Sequence, residues 1–187
     1  MCAAAVRPRP ALGSGSRPSS ADFWSLQARG TATGAKASRK AFAELVGRVR
    51  SSPGIVLFDA VEAGVPTHLV DVIAEATGQP VSTVMEIIGV SPTTFRRKDE
   101  AGEVLPDVAG HRLMGLLRVA ATLRRLLEES GDPTQLKDVD LDAWLAEWLR
   151  EPLPELGDRT PAELLRNPEG LRAVEQVLER MRGGLSA

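Results

Sequence analysis

An all-helical fold is the class this sequence predicts, on three observations. Apolar residues recur at i, i+3, i+4 and i+7 along most of the chain after residue 35. The apolar share of 43% is carried by Leu, Val and Ala, with no Tyr and four Phe, a palette that suits helix packing better than strands. Proline, glycine and capping residues also punctuate the chain at helix-start and helix-end positions, and no repeat of solenoid period is present. A length of 187 residues suits one ordinary domain or two small ones joined tightly. The reading divides the chain into a disordered basic arm (1–35), a helix-turn-helix region (36–131) and a C-terminal docking region (132–187).

The arm holds repeated Gly, Pro and Ser, with Phe23, Trp24 and Leu26 as its one sizeable apolar cluster. A packed core is not expected there, and the cluster reads as a docking spot. Phe42, Leu45, Val46 and Val49 then fall on one helical face until Pro53-Gly54 breaks it. Ile55 to Phe58 suits either strand or buried helix; the helix-tolerant residues from Asp59 to Glu62 favour helix. Pro66 suits a first helical position, Leu69, Val70 and Ile73 make the stripe, and Gly78 stands past the end. Val81, Val84, Ile87 and Ile88 form a short helix, Gly89-Val90-Ser91 a turn, and Pro92 to Lys98 a second short helix.

After a loop through Gly102, Pro106 opens a long helix with Leu113, Leu116, Leu117, Ala120, Leu123 and Leu127 as its core face, ended by Gly131 and Pro133. Leu141, Trp144, Leu145, Trp148 and Leu149 make the next stripe, stopped by Pro152. Its two indoles serve equally as core or as interface anchors. Thr160-Pro161-Ala162-Glu163 is a capping box with Leu164-Leu165 as core face. Asn167-Pro168-Glu169 starts a last helix bearing Leu171, Val174, Val177, Leu178 and Met181 before Gly183-Gly184.

The net charge of -2 conceals a split. The first fifty residues hold nine cations, from Arg7 to Arg50, against Asp22 and Glu44, and the remainder is acidic. Such an arm is compatible with nucleic acid, while the body needs a local cationic patch to bind DNA. Cys2 is the one cysteine, so neither a disulfide framework nor a thiolate metal site is expected, and a reducing, cytoplasmic setting is the default. No stretch has the apolar length to span a bilayer, so no membrane partner is expected.

The helix, glycine turn and helix from Val81 to Lys98 have the dimensions of a DNA-reading helix-turn-helix. Ser91 caps the second helix and its first-turn amides suit a phosphate. Thr93 and Thr94 reach bases or backbone, and Arg96, Arg97 and Lys98 supply charge. Asp99 and Glu100 beside the basic run weaken its field, which leaves open a helix-turn-helix that serves only packing or oligomerisation. No catalytic residue is expected. His68 and His111 are isolated, Gly13 to Ser16 lack the rest of a phosphate loop, and Glu128-Glu129 and Asp138 with Asp140 lie where charge simply solvates the chain. Neither a metal nor any cofactor is expected.

Several motifs in order, Gly64-Val65-Pro66, Gly89 to Arg97, Trp148-Leu149, Leu156 to Leu165, then Gly170, Val174 and Gly183, resemble the Xre/MbcA/ParS antitoxin family, over about Phe58 to Leu185. The resemblance implies an Xre-like helix-turn-helix bundle followed by a small helical toxin-binding subdomain. It implies a type II antitoxin that blocks a RES-domain toxin encoded next to it, the toxin being the NAD-consuming partner, and that represses its own operon by binding operator DNA, often as a homodimer. On that reading DNA is met by Ser91, Thr93, Thr94, Arg96, Arg97 and Lys98. The toxin is met by Leu156, Arg159, Thr160, Pro161, Leu165, Arg180, Gly183 and Gly184. The alternative is a stand-alone helix-turn-helix transcriptional regulator without a toxin. Two departures stand out: Asp158 where the family commonly has glycine, and Phe95 where leucine is common.

Overall fold

The computed structural model describes residues 20–26, 34–130 and 140–184. The helices in order are α1 (Ser20–Phe23), α2 (Ala35–Ser51), α3 (Gly54–Glu62), α4 (Leu69–Thr77), α5 (Val81–Ile88), α6 (Pro92–Glu100) and α7 (Asp107–Ser130). After the interval at 131–139 come α8 (Leu141–Trp148), a 3₁₀ turn (Pro154–Leu156), α9 (Pro161–Leu164) and α10 (Pro168–Gly184). No strand forms among the described residues; Pro66 with Val104 and Leu153 with Arg159 make isolated bridges. The expected all-helical class holds.

Helix α7 is the axis. Its 24 residues reach about 36 Å, and α2, α3, α5, α8 and α10 all pack against it. Leu113, Leu116, Leu117, Val119, Ala120 and Leu123 are buried, a stripe wide enough to serve neighbours on several sides. The expected core residue Leu127 is only half-buried and Leu126 takes its place. Which residue is covered there depends on the neighbours α7 meets, which one helix's own period does not reveal. Gly131 and Pro133, read as its stop, lie outside the described residues.

Phe42, Leu45, Val46 and Val49 of α2 are buried as read, against α4 and α7. Gly78 stands past α4 in the left-handed conformation. Pro66 departs from expectation: α4 begins only at Leu69, and Pro66 pairs with Val104 instead. The Leu105 N–H donates to the Val65 carbonyl at 2.8 Å beside it, clipping the loop after α6 onto the loop before α4. Gly64 is needed there, since a Cβ would crowd the Val104 methyls at 2.8 Å.

The arm also needs correction. Residues 1–35 were expected to hold no packed core, yet Phe23 and Trp24 are buried and belong to the main core. The Trp24 Nε1–H donates to the Ala60 carbonyl at 2.8 Å. Arg48 donates to the carbonyls of Phe23 and Ser25 at 2.6 and 2.5 Å. The docking spot therefore meets this same chain, at α2 and α3. Segregation of basic and apolar residues in the sequence hid this, because the partners are on later helices.

The C-terminal elements add to one core. Leu145, Trp148, Leu149, Leu165, Val174 and Leu178 are continuous with the α2, α4 and α7 side chains. Arg124 of α7 lies 5.8 Å from the centre of the Phe42 ring and pairs with the buried carboxylate of Asp142, so one guanidinium joins α2, α7 and α8.

Trp24→Ala is expected to cost about 3 kcal/mol by loss of a buried indole and its hydrogen bond, read as a lower urea midpoint. An unmoved midpoint would mean that the segment is not docked in solution.

Candidate functional site

The first candidate surface is built by α5, its turn and α6. Helix α5 is held by Val84, Met85, Ile87 and Ile88, all buried, and it ends on Gly89 at φ 70°. That left-handed turn favours glycine, and a Cβ there would overlap the Arg112 guanidinium. Ser91 caps α6, its Oγ accepting from the Thr94 N–H at 3.2 Å and donating to Thr94 Oγ1 at 2.9 Å. No residue of α6 is buried; Phe95 packs against the core at its edge. The helix runs to Glu100, two residues beyond the expected Lys98.

Ser91, Thr93, Arg96 and Arg97 are exposed on this helix, while Thr94 and Lys98 are half-buried. Their charges are not equally available. Glu103 sits 2.9 Å from Lys98 and 3.8 Å from Arg97; the hydrogen bond from the Lys98 ammonium and its charge hold the Glu103 carboxyl below its usual range. Arg96 alone of the three has no ion pair among the described residues. In the last turn of α6, Asp99 accepts from Thr67 Oγ1 at 2.8 Å, and Glu75 of α4 accepts from Ser38 Oγ. Burial together with repulsion from Asp99 and Glu75 pushes the pKa of Asp71 up. Local sequence does not mark Asp71 or Glu103 as site residues, since the acids that adjoin the basic run are Asp99 and Glu100.

The second surface is the turn from Leu153 to Leu165. The Leu153 N–H donates to the Arg159 carbonyl and the Asp158 N–H to the Leu153 carbonyl, both at 3.1 Å. Gly157 and Asp158 are both left-handed, with φ 68° and 57°. Asp158 is the only non-glycine residue in that region among those described, which is why a glycine suits the position. Aspartate is among the residues that tolerate it. Thr160 and Glu163 complete the expected capping box reciprocally, at 3.2 and 3.1 Å.

Arg159 and Arg180 are exposed, and neither carries an ion pair among the described residues. Leu156 and Thr160 are half-buried, and Pro161 and Leu165 are buried, so these last two shape the turn from inside. Gly183 and Gly184 lie in the last turn of α10. Asn167 caps that helix by accepting from the Gly170 N–H at 2.8 Å. Gly170 is required by close packing: a Cβ would overlap the Leu164 carbonyl.

Arg112 connects the two surfaces. Its Nε donates to the Arg166 carbonyl at 2.8 Å, beside the second turn, and Nη1 donates to the Ile88 carbonyl at 3.3 Å, at the end of α5. Nothing in its local sequence marks it, since both acceptors are backbone groups far along the chain. Of the two indoles, Trp148 is buried and Trp144 half-buried against the core, so Trp148 belongs to the framework. Among the described residues no group of three His, Cys, Asp or Glu could hold a metal, and no helix is long and apolar enough to cross a membrane.

Residues 122–184 match the family described as the antitoxin Xre/MbcA/ParS C-terminal toxin-binding domain. The matched stretch begins inside α7, about ten residues before the boundary expected at 132. A curated relative, the "Prs ADP-ribosylating antitoxin" of Sphingobium sp. (strain YBL2), is 30% identical over 104 residues, covering 56% of this chain and 64% of the relative. No solved structure matches.

Two outcomes test this geometry. Gly170→Ala should destabilise by about 1–3 kcal/mol through overpacking, seen as a lower thermal midpoint, because the α9–α10 turn has to open. Asp71→Asn should stabilise at neutral pH. A carboxyl with a raised folded pKa disfavours folding above that pKa, and the penalty vanishes as pH falls to its ordinary value of 3.8. The gain should therefore shrink on acidification; a gain independent of pH would remove the electrostatic cause.

Proposed function

We propose, from the likeness to Xre/MbcA/ParS antitoxins that supports this family for the chain, that it is a toxin-binding antitoxin. The observation that carries this reading is the match of residues 122–184 to a toxin-binding domain, over a region in which Arg159 and Arg180 are exposed and free of ion pairs among the described residues. The toxin is a RES-type, NAD-consuming protein encoded by a neighbouring gene. The antitoxin itself is a non-enzymatic regulator without a cofactor, acting in the cytoplasm. It works by covering the toxin with the Leu156 to Leu165 turn and α10: Arg159 and Arg180 supply charge, and the capping box with Pro161 and Leu165 holds the turn in one shape before binding, which lowers the ordering cost.

Autoregulation follows from the other surface. A homodimer places two copies of α6 on operator DNA, with Ser91 and the first-turn amides on phosphate and Thr93, Thr94 and Arg96 towards the groove. The pairing of Arg97 and Lys98 with Glu103 favours a second reading, in which α6 serves packing or oligomerisation and binds no operator. Binding by Arg97 or Lys98 requires phosphate to displace Glu103, so Arg96 carries the first contact. A stand-alone regulator with the same fold keeps the DNA contact and lacks the toxin.

The test of toxin docking uses exposed charges instead of truncation, since deleting everything from Leu141 would strip Trp148, Val174 and Leu178 from the shared core and unfold the rest. Arg159→Glu combined with Arg180→Glu should abolish rescue in co-expression with the neighbouring gene while circular dichroism stays unchanged; full rescue by this folded variant sinks the docking assignment. For DNA, Arg96→Ala should weaken binding to all sequences and lower the salt slope by about one. If the unaltered protein shows no specific gel shift, the second reading stands.

A further inference from the structure

Helix α3 is built for more burial than it has. Asp59 and Glu62 are its only polar residues, and a helix apolar on nearly every side belongs between two packing layers. Yet Ala60 is its only buried side chain. Ile55 and Phe58 are 65% and 58% exposed, next to Val108 of α7 at 61%, which makes a contiguous apolar patch instead of scattered exposure.

Beside this patch lies an open cleft of about 680 Å³ between α3, the first half of α7 and the start of α10. Leu57, Val61, Met114 and Leu171 line it. Its polar members are His111, Arg112, Arg118, Arg166 and Asn167; Arg118 pairs with Glu175 at 2.6 Å, whereas Arg112 and Arg166 have no carboxylate partner among the described residues, and Arg112 spends its donors on backbone carbonyls. On α3, the exposed Asp59 and Glu62 likewise have no cationic partner among the described residues. The face thus combines apolar knobs and unmatched acids on α3 with an apolar hollow that holds two cations free of carboxylates, Arg112 and Arg166, and Phe58 and Val108 belong to both. Helix α3 carries the first set and also forms one wall of the hollow.

We infer that this face takes a second copy of the chain, α3 of each copy entering the cleft of the other about a two-fold axis beside Phe58. Such an isologous contact needs a self-complementary patch, and both complements are present on one chain in both apolarity and charge. Phe58 is the anchor, and Asp59 or Glu62 of one copy meets Arg166 of the other. The inference deepens the homodimer in the proposed function and rests on that part of it alone, independent of toxin and operator.

Sedimentation of the full chain across micromolar concentrations tests it. The unaltered protein should be a dimer, and Phe58→Asp should raise its dissociation constant at least about thirtyfold, the effect of losing a central hot spot. Helical circular dichroism and thermal midpoint of dilute monomer should be unchanged, since Phe58 is exposed. Glu62→Arg and Arg166→Glu should each weaken the dimer, and their combination should restore it, a rescue that misfolding cannot produce. A monomer at all concentrations overturns the homodimer reading and this surface together, whatever else then covers the cleft. A dimer indifferent to Phe58→Asp leaves the homodimer in place and overturns only the surface. A monomer whose Phe58→Asp variant fails to neutralise the toxin assigns the cleft to the toxin and likewise overturns the second copy.

Discussion

Everything in this molecule depends on α7 being shared. A helix with apolar residues on several sides cannot be satisfied by one neighbour, and here the helices before it and after it compete for the same side chains. Leu116 lines one small cavity with Phe42 and Ile73 from before it and Ala146 and Leu149 from after it. The N-terminal helix-turn-helix and the C-terminal turn therefore have no separate cores, and neither half keeps its packing if the other is removed. The Arg124 guanidinium, held between the Phe42 ring and Asp142, ties the same three layers with a charge. Breaking such a half-buried pair from one side leaves an uncompensated ion, which is the costly direction.

A shared axis also gives the two candidate surfaces a physical connection. Arg112 holds the end of α5 and the turn after α9 through two backbone carbonyls. Its place over Gly89 means that any side chain at the glycine would displace it. A partner that moves the Arg166 turn acts on the same guanidinium that steadies the entry to α6. Coupling between sites needs a linked element of this kind rather than proximity alone.

Electrostatics around α6 are more restrained than a run of three cations suggests. Glu103 returns across a turn to Arg97 and Lys98, and Asp99 at the end of α6 repels Asp71 of α4, as does Glu75. Under the proposed DNA contact, phosphate would have to displace Glu103 before Arg97 or Lys98 could meet it. In that proposed contact, which would be mostly charge driven away from its specific site, the arrangement would lower non-specific affinity and leave the capped N-terminus of α6 and Arg96 as the anchors.

The sequence by itself determined the helical class and most boundaries. Phe42 to Val49, Gly78, Gly89, the Ser91 cap and the Thr160 capping box act within one or two turns of chain, where spacing and residue type carry the information. Candidate residues at the start of α6 and in the Leu156 to Thr160 turn were legible for the same reason. What the tertiary structure alone decided lies in long-range partners. Trp24 finds Ala60, Pro66 finds Val104, Glu103 folds back on Lys98, and Arg112 reaches carbonyls on two distant turns. Leu126 in place of Leu127 was likewise decided by which neighbours α7 meets. Local periodicity says that a face is apolar or a group charged; which group answers it depends on chain folding across many residues, and no local pattern encodes that pairing.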